Sequence, residues 1–190
     1  MKNYWSTSDW HFMHRKMLEQ LWDDRPVDYM SLILERYAER VLVGDEVWFL
    51  GDMLFQPHKT KDWFSHIMRD LPGAKFLVRG NHDCHKRTPD QYWIEECGFI
   101  EVHEYFAVKE GILLSHFPMV PASTRGDDRY LYETLLLHDE YKERELLVNL
   151  HGHTHTYHSD SPVCVNVGVD VHNFEPMSIN ALLLLNKTEC

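Results

Sequence analysis

Short apolar runs rich in β-branched and aromatic residues recur along the chain at 4–7, 46–50, 75–78, 112–114, 146–150 and 163–167. Each ends in a polar cluster containing Asp, Asn or His, which predicts strands whose exits carry the chemistry. Between the early runs the apolar spacing changes to that of a helix. Met30, Ile33, Leu34, Tyr37 and Val41 fall on one helical face, as do Trp63, Phe64, Ile67, Met68 and Leu71, with Pro72-Gly73 as a stop. Lys109-Glu110-Gly111 predicts a hairpin turn between 102–108 and 112–114. A further helix is expected from about Arg129 to Glu145, and a last apolar strand over 178–185. Alternating strands and helices followed by a strand-rich half predict an α/β fold. Trp5, Trp48, Trp63 and Trp93 lie within apolar patterns and are read as core.

No repeat, low-complexity tract or linker divides the 190 residues, so residues 1–190 are read as a single domain. Hydrophobic residues make up 44% of the chain and charged residues 26%, usage that excludes disorder. Cys84, Cys97, Cys164 and Cys190 show neither C-x-x-C nor regular spacing, which suggests neither a zinc knuckle nor a disulfide framework. The first ten residues contain no apolar signal core, and no run is long enough to cross a bilayer, so the expectation is a cytoplasmic protein without a membrane partner. A formal net charge of −11 argues against sequence-independent grip on nucleic acid, which depends on Lys and Arg. It is compatible with a phosphate substrate if metal ions supply the positive field.

The 14 histidines matter for their positions. The strand exits read, in order, Asp9-Trp10-His11, Gly51-Asp52, Gly80-Asn81-His82-Asp83, Ser115-His116 and Gly152-His153-Thr154-His155. Imidazole mixed with carboxylate suits manganese, iron, zinc, cobalt or nickel better than magnesium or calcium. On an extended segment alternate residues point the same way, so Asp9 with His11, and His153 with His155, are expected to converge. Gly51, Gly80 and Gly152 each precede a candidate ligand and permit a sharp turn or close backbone approach.

These five blocks, in this order, resemble the signature of the calcineurin-like metallophosphoesterases: D-x-H, G-D, G-N-H-D/E, a lone histidine and G-H-x-H. The resemblance runs from Asp9 to His155. It implies a two-sheet β-sandwich flanked by helices. It also implies that Asp9, His11 and His155 hold one metal, that Asn81, His116 and His153 hold a second, and that Asp52 bridges both. Met53-Leu54-Phe55 after Gly51-Asp52 departs from the acidic and arginine-glycine segment of the protein serine/threonine phosphatase branch. The Ser8-Asp9-Trp10-His11-Phe12 opening and Asn166-Val167-Gly168-Val169-Asp170 look more like small bacterial or phage members.

The implied activity is hydrolysis of a small-molecule phosphoester, diester favoured over monoester, by a hydroxide that bridges two divalent transition-metal ions. His82 is then the general acid, with Asp83 orienting its imidazole. The alternatives are a nuclease, disfavoured by the acidity and the single domain, and a non-catalytic scaffold, disfavoured because all the motif residues are present. For single residues a plainer role stands beside each of these. Asp and Asn are common at turns, and His82 could be an interior histidine. His14, one turn beyond His11, either lines the site as a substrate contact or faces solvent. Arg79, His85, Lys86 and Arg87 are candidate phosphate contacts, although charged residues around a loop are usually solvated. His58, His66, His103, His138, His151, His158 and His172 carry no spacing argument and are given structural or surface roles. The loop 121–129 is read as a surface loop, with a flap over the site as the alternative.

Overall fold

The computed structural model describes residues 2–19, 25–55, 57–83, 89–120, 130–159 and 161–185. Cys84, His85, Lys86, Arg87, Cys190 and the loop 121–129, all considered above, lie outside them. In chain order the elements are β1 (Tyr4–Thr7), α1 (Lys16–Glu19), α2 (Tyr29–Arg40), β2 (Glu46–Phe49), α3 (Pro57–Asp70), β3 (Ala74–Val78), a π-helical turn (Tyr92–Glu96), β4 (Glu101–His103), β5 (Phe106–Lys109), β6 (Ile112–Ser115), α4 (Leu131–Glu143), β7 (Val148–His151), β8 (Cys164–Asn166), a 3₁₀ turn (Val169–Val171), β9 (Met177–Ser178) and α5 (Asn180–Leu185). Two mixed sheets result, β4-β3-β2-β1-β9 and β5-β6-β7-β8. β1 to β4 run parallel and only β9 opposes them, while in the second sheet β6, β7 and β8 run parallel and β5 opposes.

Alternation along the strands decides which core each side chain joins. Trp48 and Leu50 meet Val78, Ile112, Leu114, Val148 and Leu150 in a core shared by residues of both sheets. Val47 and Phe49 point the other way, into a core with Ile33, Tyr37, Val41, Phe64, Met68 and Trp93. Leu113 and Cys164 join Leu137 of α4 in a third core. All four residues of β2, β6 and β7 are therefore buried, as parallel strands covered on both faces should be. The α/β architecture, two sheets flanked by helices, agrees with the coarse reading of the sequence.

Three details differ from expectation. The run 102–108 is not one strand: it breaks at Glu104 and Tyr105, so that β4 closes one sheet and β5 opens the other. The run 178–185 is mostly helix: Ile179, Leu182 and Leu183 all pack on the shared core, an i, i+3, i+4 set that the alternation of a strand would split between its two faces. Trp63 is 43% exposed, at the edge of the face on which Phe64 and Met68 are buried. The expected hairpin is present, with Glu110 and Gly111 both at positive φ in a two-residue turn. Among the described residues no helix is long and apolar enough to cross a membrane.

Asp45 fastens the start of β1 to the loop between α2 and β2. Its carboxylate accepts from the Asn3 amide (2.9 Å), the Trp5 indole (3.0 Å) and the Leu42 amide (3.0 Å). Burial works to raise its pKa, and these hydrogen bonds outweigh it and hold the carboxyl below its ordinary value. Asp45→Ala should cost about 2 kcal/mol of stability in urea unfolding near neutral pH. The contribution is complete above the unfolded carboxyl's value, about 3.9, and fades as the pH falls through the lower folded value. The gap between variant and wild type should therefore narrow in acid, and equal stability at neutral pH would contradict this role.

Candidate metal centre

Parallel strands leave their carboxyl ends on one side, and five of these ends deliver candidate ligands. Asp9 follows β1, Asp52 follows β2, Asn81 follows β3, His116 follows β6, and His153 and His155 follow β7. Donor atoms of Asp9, His11 and His155 lie within 4.8 Å of one another, as do those of Asp52, His116 and His153. Asp52 connects the groups: its Oδ2 is 3.5 Å from His11 Nε2 and 3.4 Å from His116 Nε2. Asn81 Oδ1 stands 3.2 Å from His116 Nε2, and His153 Nδ1 stands 3.3 Å from it. The structure thus brings all seven expected ligands together.

Convergence does not come from extended alternation. Asp9 (φ 59), His11 (φ 47), Asp52 (φ 54), His153 (φ 67) and His155 (φ 50) all have left-handed backbones, unusual for residues with side chains. Each costs about 1–2 kcal/mol relative to an ordinary conformation, strain of the kind that gathers at functional sites. Hydrogen bonds hold these turns. The Asp9 amide donates to Gly51 O (3.0 Å), and the His11 amide donates to Asp52 O (2.9 Å). Asp9 also accepts from the His153 amide at 3.1 and 3.0 Å, joining the first and last motifs.

Electrostatics favour a cation here. Asp9 and Asp52 are both buried, and His11 Nε2 is buried with no hydrogen-bond partner among the described residues. Burial lowers His11 well below its ordinary pKa and His153 to about 3, which keeps both imidazoles neutral with lone pairs to donate. Burial raises Asp9, and the charges of Asp52 and Asp170 add to that rise. At Asp52 burial is outweighed by the neighbouring imidazoles, His116 first, and the carboxyl is held well below its usual range. At His116 burial is likewise outweighed, here by Asp52, and its pKa is raised to about 9. The donor set and the orphaned nitrogen fit a metal ion.

Around these ligands the other expected residues take distinct places. His82 stands at the rim with its side chain 31% exposed and Nε2 3.9 Å from Asp52 Oδ2, while its amide donates to Asp52 Oδ1 (2.8 Å). Asp83 is fully buried, and its carboxylate accepts from the amides of Asp52 (2.7 Å), Met53 (3.0 Å) and Gly80 (2.9 Å). Those bonds make Asp83 a clamp on the loops that carry Asp52 and Asn81. His14 is half-buried, stacked on Phe55 at 3.9 Å, with Nδ1 3.3 Å from His11 Nδ1, so it belongs to the site and not to solvent. Arg79 is paired with Asp90 (3.2 Å). His151 is buried and His172 bonds Asn166 O (2.8 Å), both structural placements.

Sequence reasoning missed three residues that shape the site. Asn166 donates to His155 O (2.7 Å), Tyr157 O (2.9 Å) and Thr154 Oγ1 (3.0 Å), and so shapes the loop of the last motif. Asp170 lies 3.1 Å from His155 Nδ1, and Arg25 pairs with Asp170 at 2.6 Å. Asn166 and Asp170 lie in the segment that resembles small bacterial or phage phosphoesterases, whereas nothing in local spacing ties Arg25 to it.

No protein-family model matches the chain. It is similar to the gene 66 protein of Mycobacterium phage D29, at 30% identity over 93% of each chain. To the gene 66 protein of Mycobacterium phage L5 it is 31% identical over 82% of this chain and 79% of that one. An uncharacterized protein of Methanocaldococcus jannaschii is 26% identical over 97% of this chain and 92% of its own. The crystal structure of a protein of unknown function from Aquifex aeolicus superposes with a TM-score of 0.80 at 25% identity, covering 97% of this chain and all of that one.

Gly152 sets the packing of the centre. A Cβ there would meet Ser8 Oγ and lie 2.6 Å from Asp9 Oδ2. Gly152→Ala should therefore push Asp9 out of place and weaken uptake of a divalent transition metal at least about tenfold, as loss of ligand positioning does. Calorimetric titration with manganese measures it. Unchanged affinity would show that Asp9 is not a ligand or that the loop yields freely.

Proposed function

The chain belongs to the family of the gene 66 proteins of Mycobacterium phages D29 and L5, and we propose that it hydrolyses a phosphoester with the help of two divalent transition-metal ions. The observation that carries this reading is Asp52 Oδ2, which lies 3.4 Å from His116 in its own donor group and also 3.5 Å from His11 of the group that holds Asp9 and His155. One ion would be held by Asp9, His11 and His155, the other by Asn81, His116 and His153, with Asp52 shared. Manganese, iron, zinc, nickel and cobalt suit these donors. When bound, such a pair of ions supplies positive charge for the phosphate oxygens and activates a water.

The chain's own residues do the rest. Neutral His11 and His153 present lone pairs without a proton to displace. Left-handed turns at five ligand positions hold the donors in place before any ion or substrate arrives, which is the preorganisation that electrostatic catalysis requires. His82, partly open to solvent beside Asp52, would donate a proton to the leaving oxygen. His14 and Phe55 flank it, their rings 5.3 and 5.7 Å from that of His82. The shortage of basic residues, with the −11 charge, supports a small phosphodiester as the substrate in preference to a nucleic acid.

His82→Gln and His82→Ala should keep the fold and the full metal content. Proton donation contributes about 10² to 10⁴ in rate, and the loss should be of that order for a phosphodiester with an alkyl leaving group. A p-nitrophenyl ester departs without a proton, so its loss should be much smaller. Rates on both esters, with metal content measured on the same samples, decide between roles. An equal loss on both would assign His82 to phosphate binding, and a missing ion would make it a ligand.

A further inference from the structure

Arg25 and Asp170 lie 145 positions apart in the chain and meet in the interior, their side chains 1% and 3% exposed. The guanidinium grips both carboxylate oxygens, Nε to Oδ1 at 2.6 Å and Nη2 to Oδ2 at 2.7 Å. Two of its remaining protons go to backbone carbonyls of the first motif: Nη2 donates to Asp9 O (2.7 Å) and Nη1 to Trp10 O (3.0 Å). Asp170 Oδ2 accepts from His155 Nδ1 at 3.1 Å. Tyr29, whose ring lies 5.0 Å from the Arg25 guanidinium, donates its hydroxyl to His11 O (2.7 Å). A single ion pair therefore touches the His155 ring and the turn that carries Asp9 and His11, the three members of one donor group. The other group is backed differently: His116 Nδ1 is held by a backbone carbonyl, Leu50 O, at 2.8 Å.

We propose that Arg25 and Asp170 are positioning residues for one of the two ion positions only, that of Asp9, His11 and His155. The inference rests on the metal-dependent reading above. A proton on Nδ1, given to the Asp170 carboxylate, leaves Nε2 as the nitrogen of His155 that carries a lone pair. The carboxylate also makes that nitrogen a stronger donor. Because Asp170 would otherwise be a buried, unpaired charge, Arg25 is required beside it. Its bonds to the Asp9 and Trp10 carbonyls hold the left-handed turn at Asp9 (φ 59) and His11 (φ 47).

The experiment is a zinc titration of ¹⁵N-histidine-labelled protein, followed through the side-chain nitrogen spectra and by calorimetry. Wild type should bind two zinc ions, with His155 ligating through Nε2 and keeping a slowly exchanging proton on Nδ1. The double variant Arg25→Met with Asp170→Asn removes both charges together and leaves neither buried alone. In it the His11 and His155 signals should respond only at about 10- to 100-fold higher zinc. The His116 and His153 signals should respond at the wild-type concentration. Equal weakening of both groups, no weakening of either, or ligation by His155 Nδ1 in wild type would overturn the inference while leaving the metal reading intact. If the double variant does not fold, the wild-type assignment of the His155 nitrogens decides alone. Histidine signals in wild type that ignore zinc would overturn the metal reading itself.

Discussion

Two buried carboxylates and several neutral imidazoles facing one another present lone pairs to lone pairs. In a protein interior such a cluster is unfavourable without a positive charge at its centre. Around Asp52 the molecule builds this arrangement and holds it rigidly: the Asp52 carboxylate sits among His11, His116 and His82, and Asp9 adds a second charge nearby. The Asp52 carboxylate raises the pKa of the His116 imidazole to about 9 against the effect of its burial. The rest of the fold supports the cluster. Asp83 clamps two ligand loops through backbone amides, Asn166 shapes a third, and the Arg25–Asp170 pair anchors the first motif and the last.

Sheet direction makes the cluster attainable from one chain. Strands β1, β2 and β3 run parallel in one sheet, and β6, β7 and β8 in the other, so each returns its carboxyl end to the same region. Burial of both faces of β2, β6 and β7 fixes where those ends stop. Core packing and ligand placement are thus one problem. A shift of β2 by one residue would send Trp48 and Leu50 toward the helices and carry Asp52 away from His116.

Much of this was legible in the sequence, for a physical reason: a ligand beside a glycine at the end of an apolar run is a local pattern, as in Gly51-Asp52 and Gly152-His153. Helices α2 and α3 were readable from spacing, because Ile33, Tyr37 and Val41, then Phe64 and Met68, share faces that are buried. The Leu-rich 178–185 segment was misread because continuous apolar runs have no period to distinguish strand from helix. The left-handed backbones at Asp9, His11 and His155 left no trace, since no glycine marks them. Arg25 and Asp170 were illegible because a contact across 145 residues has no local signature. The bonds of Asp83 to the amides of Asp52, Met53 and Gly80 were illegible, because a sequence does not display backbone amides.

The central claim is that these residues form one centre for two ions with Asp52 between them. Anomalous diffraction from crystals loaded with manganese, collected near the manganese edge, tests it most directly. The account predicts two strong peaks, one among Asp9, His11 and His155 and one among Asn81, His116 and His153, with Asp52 reaching both. A single peak, peaks elsewhere on the molecule, or a featureless map from fully folded, manganese-saturated protein would contradict it.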